Sequence, residues 1–281
     1  MKIVKKAYGK INLTLEVEPL NNRGLHPLNS IMQSIALHDT LTFESRSDLN
    51  IALSGNRDDL SYGEDNLIVK AAKLLRAVTG VMRGVTITLN KGIPIAAGLG
   101  GGSSDAATTL LALNCLWDVD WPIGKLVTLG SRIGSDVPFC IIGGTCFVEG
   151  TGEKVRPIPS LPKTSLLVIK SDFGVSTKTV YDEFDRMGEN YLNKGYSEKM
   201  EVAITKGIDY RQYLTNDLEK ATRALYPEIN SWIQDVKESC ETVLMSGSGP
   251  TLLAFAENDF IKKAYNEIKN KIKFAYITNT L

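Results

Sequence analysis

Residues Pro94–Ala107 read PIAAGLGGGSSDAA, four glycines and two serines set between an apolar alternation and an alanine-rich run. Before this stretch, Val85, Ile87 and Leu89 alternate with Thr86, Thr88 and Asn90, the period-2 pattern of a half-buried strand. After it, Ala106, Ala107, Leu110, Leu111 and Leu113 predict a helix with one apolar face. Ser103, Ser104 and Asp105 are the residue types that cap such a start. The unit is therefore strand, glycine loop, helix. Glycine lets backbone N–H groups come close to a ligand because no Cβ intervenes. The first helical turn adds unpaired N–H donors and the positive end of the dipole, which together make a phosphate site. A purely structural glycine turn would use the same residues. No G-x-x-x-x-G-K-[S/T] occurs, which excludes a Walker A loop. Gly98-x-Gly100 leads to Ser103 where a dinucleotide fingerprint needs a third glycine, and no strand ending in an acidic residue follows at the required spacing of about 20 residues.

The 281 residues suffice for one large domain or two ordinary ones, and 43% apolar content fills a core. Charge balances at 32 basic against 32 acidic residues, so neither a nucleic-acid stripe nor a polybasic membrane patch is expected. The phosphate charge of a ligand must then be met locally, by loop amides, a few lysines and a metal ion. Cys115, Cys140, Cys146 and Cys240 form no C-x-x-C pair and only His26 and His38 accompany them, which argues against zinc and for reduced, mostly buried thiols. No apolar h-region follows the basic start and no run of about 18 apolar residues occurs, so a cytoplasmic protein is expected.

Strands are expected in 1–18 and 30–53, a helix over 66–78 and another over 125–133. Ile141–Glu149 reads as a strand broken by Gly143-Gly144. Gly150–Glu153 with Pro157, Pro159 and Pro162 marks a domain boundary, giving units 1–155 and 156–281. Beyond it, Ser165–Lys170 reads as a strand, and helical patterns fall near 177–187, 199–205, 216–224, 227–239 and 258–271. Val243–Phe255 reads as two apolar runs around a second small-residue loop, and Phe274–Thr278 as an edge strand. This mixture is α+β, without regular βαβ alternation.

Three segments, in order, resemble the GHMP small-molecule kinases: Lys10-Ile11-Asn12-Leu13, Pro94–Ala107, and Ser246-Gly247-Ser248-Gly249-Pro250. The resemblance implies a two-domain fold, with an N-terminal ribosomal-protein-S5-like ATP-binding domain and a C-terminal ferredoxin-like domain. It also implies ATP and Mg²⁺ as cofactors and a small-molecule substrate; whether the chain is a monomer or a homodimer stays open. Further stretches are similar to the branch that phosphorylates the 2-hydroxyl of a cytidine-diphosphate-linked methylerythritol, a step toward isoprenoid precursors. They are Gly24-x-His26, Met32-Gln33-Ser34, Glu64–Ile68, Gly134–Phe139 and Asn216–Glu219. The chain departs from that branch at Asn21, Arg23 and Leu25, where arginine, aspartate and tyrosine are usual. Leucine covers a base by apolar contact but forgoes ring stacking, worth about 1–3 kcal/mol per base. Another small alcohol as acceptor, or a catalytically weak homologue, therefore remains an alternative.

The resemblance implies Asp136 as general base and Lys10 as the ammonium that holds it and offsets phosphate charge. Read alone, Asp136 before Val137-Pro138 equally suits a helix N-cap, and Lys10 a solvated lysine. ATP would meet Asn66, Pro94, Ala97, Gly98, Leu99, Gly100, Gly101, Gly102, Ser103 and Ser104, with Ser104 reaching Mg²⁺ and Asp105 facing it; Asn66 is as well explained as a cap. Substrate would meet Asn12, Leu25, His26, Asp136, Tyr181, Gly247 and Ser248. A lone histidine and a hairpin turn are the plain alternatives for His26 and Gly247–Gly249.

Overall fold

The computed structural model describes residues 1–22, 24–188 and 194–281. Arg23, one of the three departures above, lies outside the described residues. Alternation at the start builds β1 (Lys2–Asn12), β2 (Thr14–Val17), β3 (Leu28–Arg46) and β4 (Ile51–Gly55). Helix α1 (Leu67–Thr79) begins where Asn66 Oδ1 accepts the Ile68 N–H and ends at Gly80, in the left-handed region at φ 69°. β5 (Gly84–Asn90) enters the glycine loop, and α2 (Gly101–Leu116), α3 (Ile123–Gly130) and α4 (Val137–Ile142) follow. β6 (Thr145–Gly150), β7 (Lys154–Pro157) and β8 (Ser165–Lys170) come next, then α5 (Thr177–Arg186) and α6 (Tyr196–Lys206). The chain continues through β9 (Thr215–Asn216), α7 (Glu219–Leu225), α8 (Ile229–Lys237), β10 (Thr242–Met245), β11 (Thr251–Phe255), α9 (Asn258–Ile268) and β12 (Phe274–Asn279).

Two local expectations are corrected. The run 141–149 is not one broken strand: Ile141 and Ile142 close α4, Gly143 and Gly144 turn at φ 71° each, and the strand starts at Thr145. Pro138, at the head of VPFCII, presets a helical first turn and outweighs the apolar run. Helix α2 does not show one apolar face. Ser104–Leu110 are all buried, because small side chains let α1, α4, β1 and β3 close around it.

β3 organises an eight-stranded sheet, pairing antiparallel with β1, β2, β5 and β6. Its pairing with β1 is irregular. Tyr8 faces His38 but Lys10 faces Ser34, so two residues of β1 span four of β3. The surplus turns to the chain's end: Ile35 bridges Thr280 and the Leu37 N–H donates to Thr278 Oγ1 at 3.0 Å. The Lys10 N–H then donates to Leu99 O at 2.9 Å, tying β1 to the glycine loop.

The second sheet, ordered β10-β11-β8-β12, is antiparallel throughout. With α5–α8 in the first crossover and α9 in the second, it is a ferredoxin-like βαββαβ unit. SLLVIK is continuously apolar because both its faces are covered. Leu166 and Val168 pack toward Ile11, Ile31 and Ile35, while Leu167 and Ile169 pack toward Val180, Ile233 and Ile261. All four cysteines are free, Cys115 exposed, Cys140 half-buried and the other two buried. Among the described residues no helix is long and apolar enough to cross a membrane.

Candidate active site

The glycine loop turns on Gly98 at φ 69° and Gly100 at φ 65°. Neither serine nor Asp105 caps α2, contrary to the expectation. The N-cap is Gly100, left-handed and without a side-chain bond, and its carbonyl accepts the Ser104 N–H at 2.8 Å. The N–H groups of Gly101, Gly102 and Ser103 precede that first i→i−4 bond and are the open donors of the helix. They line a cavity of about 450 Å³, together with Pro94, Ala97, Gly98, Leu99, Gly100 and Asn66. Asn66 is the cap of α1, and its Nδ2 also donates to Ser61 O at 2.7 Å, so both ends of its amide are engaged locally. Ser104 is buried and is not on the wall of this cavity; Ser103 is.

A second cavity of about 900 Å³ shares Gly98 and Ser103 with the first. Lys10, Asn12 and Asp136 stand on its wall beside them. Lys10 Nζ lies 3.3 Å from Asp136 Oδ2 and donates to Asn12 Oδ1 at 2.9 Å. Asn12 Nδ2 donates to Ser30 Oγ, which donates on to Thr14 O, so the lysine's partner is itself anchored in the sheet. The Lys10 side chain is 6% exposed and that of Asp136 28%. Asp136 occupies the N-cap position of α4, yet its carboxylate makes no capping bond. The capping alternative for this residue is not realised.

The second glycine loop closes the other wall. Gly247 and Gly249 have φ 58° and 80°, and Ser246 Oγ donates to Gly98 O at 3.3 Å. A Cβ on Gly98 would lie 2.7 Å from Ser246 O, so the two loops touch only because one is glycine. Asn216 Nδ2 donates to both Met245 O and Gly247 O and holds the second loop in place. Ser248 Oγ shares a hydrogen bond with Thr177 Oγ1 at 2.9 Å.

At the outer end, His26 stacks on Tyr181, with ring centroids 5.2 Å apart and planes 24° from parallel. His26 Nδ1 meets Glu18 O at 2.8 Å and Nε2 faces Asp185 Oδ2 at 3.3 Å. Leu25 lines the same cavity, 51% exposed, on a turn closed by Asn21. Burial, with Asp136 adding, pushes the Tyr181 phenol up.

Two groups escaped the sequence reading. One is Asn216, whose only signal was the short Asn-Asp-Leu-Glu resemblance. The other is a buried ion cluster beneath the first glycine loop. Lys91 Nζ contacts Asp39 Oδ2 at 2.5 Å and Asp105 Oδ2 at 3.0 Å, and Asp39 Oδ1 accepts the N–H groups of Gly92 and Ile93. Asp105 therefore pairs with Lys91, while its Oδ1 is buried with no hydrogen-bond partner among the described residues. Burial, reinforced by Asp39 and opposed by Lys91, pushes the Asp105 carboxyl up to about 7.

The chain matches the family model "GHMP kinases N terminal domain" over residues 66–144 and "GHMP kinases C terminal" over 203–273. It is 37% identical to the 4-diphosphocytidyl-2-C-methyl-D-erythritol kinase of Caldanaerobacter subterraneus subsp. tengcongensis, across 100% of this chain and 98% of that one. The kinase of the same name from Moorella thermoacetica is 40% identical across 98% of each chain. A crystal structure of 4-(cytidine 5'-diphospho)-2C-methyl-D-erythritol kinase superposes with a TM-score of 0.80 at 30% identity, covering 99% of both chains. L. major mevalonate kinase in complex with R-mevalonate, 17% identical with a TM-score of 0.78 over 99% of this chain and 96% of that one, has the same fold. With relatives this similar along their whole length, and with both glycine loops meeting beside a lysine–aspartate pair, the chain belongs to the GHMP kinases.

Proposed function

We propose that this GHMP kinase transfers the γ-phosphoryl group of ATP to the 2-hydroxyl of 4-diphosphocytidyl-2-C-methyl-D-erythritol, in the cytoplasm, on the way to isoprenoid precursors. The carrying observation is the Lys10–Asp136 pair, 3.3 Å apart, beside the Gly98 and Ser103 wall that both cavities share. The division at residues 155 and 156 belongs to the same reading, and β7 straddles it.

ATP lies in the smaller cavity, its phosphates on the N–H groups of Gly101, Gly102 and Ser103. The acceptor lies in the larger one. Its cytosine sits near Leu25, His26 and Tyr181, and its polyol sits near Asn12, Gly247 and Ser248. Phosphoryl transfer has a loose transition state, so positioning and charge stabilisation supply the catalysis. Asp136 accepts the proton of the attacking hydroxyl as the new P–O bond forms and ADP leaves. Lys10 keeps the carboxylate oriented and counters charge on the transferring group. Because the Lys10 N–H is bonded to Leu99 O, the base and the phosphate loop keep one geometry.

The oxygen donors at the shared wall suit Mg²⁺, which leans on substrate phosphates and needs only one or two protein oxygens. Ser103 takes this role in place of Ser104, because its residue lines both cavities and Ser104 is buried. When bound, the ion would supply charge neutralisation on the phosphates. Asp105 does not join it, being held by Lys91.

A coupled ADP-release assay across candidate alcohols tests the proposal. Turnover is expected with the cytidine substrate. No turnover with it, alongside turnover of another alcohol, assigns a different acceptor, and the replacement of tyrosine by Leu25 makes that the informative comparison.

A further inference from the structure

The wall of the larger cavity carries four carboxylates, and each has a partner. Asp136 faces Lys10, Glu153 accepts the Thr151 N–H and hydroxyl, Asp182 lies 3.9 Å from Lys178, and Asp185 faces His26. Among the described residues the wall has three lysine and arginine cations, and two of them, Lys10 and Lys178, are thereby matched. The third is Arg132, whose exposed side chain has no hydrogen bond or ion pair among the described residues. Every other described arginine has a side-chain partner, at Asp48, Asp59, Leu49 O, Asp118, Glu201, Glu183, Asp209 and Asn230. Among the described residues an unmatched guanidinium on a cavity wall is therefore peculiar to this position.

Its backbone is fixed although its side chain is not. Arg132 lies in the loop between α3 and α4 that also presents Asp136. The N–H groups of Ser131, Arg132, Ile133 and Gly134 all donate back to Val127, Leu129 or Gly130. A Cβ on Gly152 would lie 2.5 Å from Ser135 O, so the neighbouring turn packs tightly against this loop. Arg132 lines the larger cavity and not the smaller.

We propose that Arg132 is the anion-binding side chain of the acceptor cavity and pairs with the acceptor's diphosphate, seating the polyol against Lys10 and Asp136. This rests on the cytidine-diphosphate reading above and deepens it. A planar guanidinium offers two parallel N–H donors to phosphate oxygens, which a lysine does not. Arg132 and Asp136 belong to the same short loop between α3 and α4, so a phosphate held by one lies on the wall that presents the other.

The test is binding of CDP and of cytidine to wild type, Arg132→Gln and Arg132→Lys by calorimetry, with the nucleotide loop filled by a non-hydrolysable ATP analogue. Wild type should bind CDP more tightly than cytidine. Arg132→Gln should lose about tenfold or more in CDP affinity, the size of one charge-assisted hydrogen bond, with cytidine unmoved. Arg132→Lys should fall between them. Steady-state kinetics should show the same rise in KM for the cytidine substrate and no change in KM for ATP. Melting temperatures should match wild type, since the exposed side chain makes no hydrogen bond or ion pair among the described residues. CDP affinity equal in wild type and Arg132→Gln, or an equal loss for cytidine and CDP, means a merely solvated arginine and overturns the proposal. A raised KM for ATP assigns Arg132 to the nucleotide and overturns it too. Wild-type turnover with an indifferent Arg132 leaves the kinase reading standing. Arginine-dependent CDP binding without turnover of the cytidine substrate leaves this inference standing and removes that acceptor.

Discussion

Replacing Gly100 with alanine should separate the catalytic lysine from the phosphate loop. Gly100 caps α2 at φ 65° and ψ 21°, a conformation that costs an L-residue about 1 kcal/mol. The added Cβ would lie 2.7 Å from Lys10 Cγ, 3.2 Å from Cε and 3.5 Å from Cδ. Carbon atoms in contact prefer about 3.5–4.0 Å, so the lysine must move. It has little room: its side chain is 6% exposed and its Nζ is held by Asn12 and Asp136. Losing that charge-assisted hydrogen bond costs about 1.5–3 kcal/mol. Together these give about 2.5–4 kcal/mol, or a melting temperature lower by about 5–8 °C at roughly 2 °C per kcal/mol for a chain this long. Turnover should fall by about 10²–10³, the usual effect of removing one preorganised charge from a transition state. Thermal melting without ligand and ADP release at saturating substrates measure both quantities. Gly102→Ala is the companion for stability: its Cβ would meet only Leu67 Cδ1, at 3.5 Å, so its melting temperature should not fall. If Gly100→Ala melts and turns over as wild type does, the close approach of loop and lysine does not govern the site.

Asp136→Asn should lower kcat by about 10²–10⁴ while leaving ATP affinity within twofold (roughly), because it removes the proton acceptor and little else; unchanged turnover would remove Asp136 as base. Leu25→Tyr should tighten binding of the cytidine substrate by about 1–3 kcal/mol, through a ring stacked on the base where an exposed leucine now stands. An unchanged KM would place the base elsewhere in the cavity. Stability should carry the mark of Asp105, whose carboxyl is moved by burial from 3.8 up to about 7. Between those pH values the folded chain holds a proton that the unfolded chain has released, so this group's contribution to stability declines as pH rises from about 4 to about 7. Asp105→Asn removes the titration. The wild-type melting temperature minus that of the variant should therefore drop across this interval, and a difference flat with pH would contradict the burial argument.

The elements that were legible in the sequence are those with local causes. Gly98–Gly102 announce the loop before α2, Asn66 announces the start of α1, and SLLVIK announces a strand. What brings Lys10 to Asp136 is not local. It depends on two residues of β1 spanning four of β3, and that slip exists because Ile35 and Leu37 turn to Thr280 and Thr278 at the far end of the chain. Periodicity is silent about such a shift, since the apolar pattern of β3 reads the same on either side of it. Asp39, Lys91 and Asp105 each look like a solvated charge until three distant segments are packed together. Where sequence reasoning went astray at the α2 cap, the miss has a functional cause. Propensity favours serine as the cap, but the cap here must be left-handed and must admit Lys10 within a distance that no Cβ tolerates. Glycine therefore takes the position, and Ser103, released from capping, stands on the wall that both cavities share. A broken local preference at this point is what a site built for phosphate and lysine together requires.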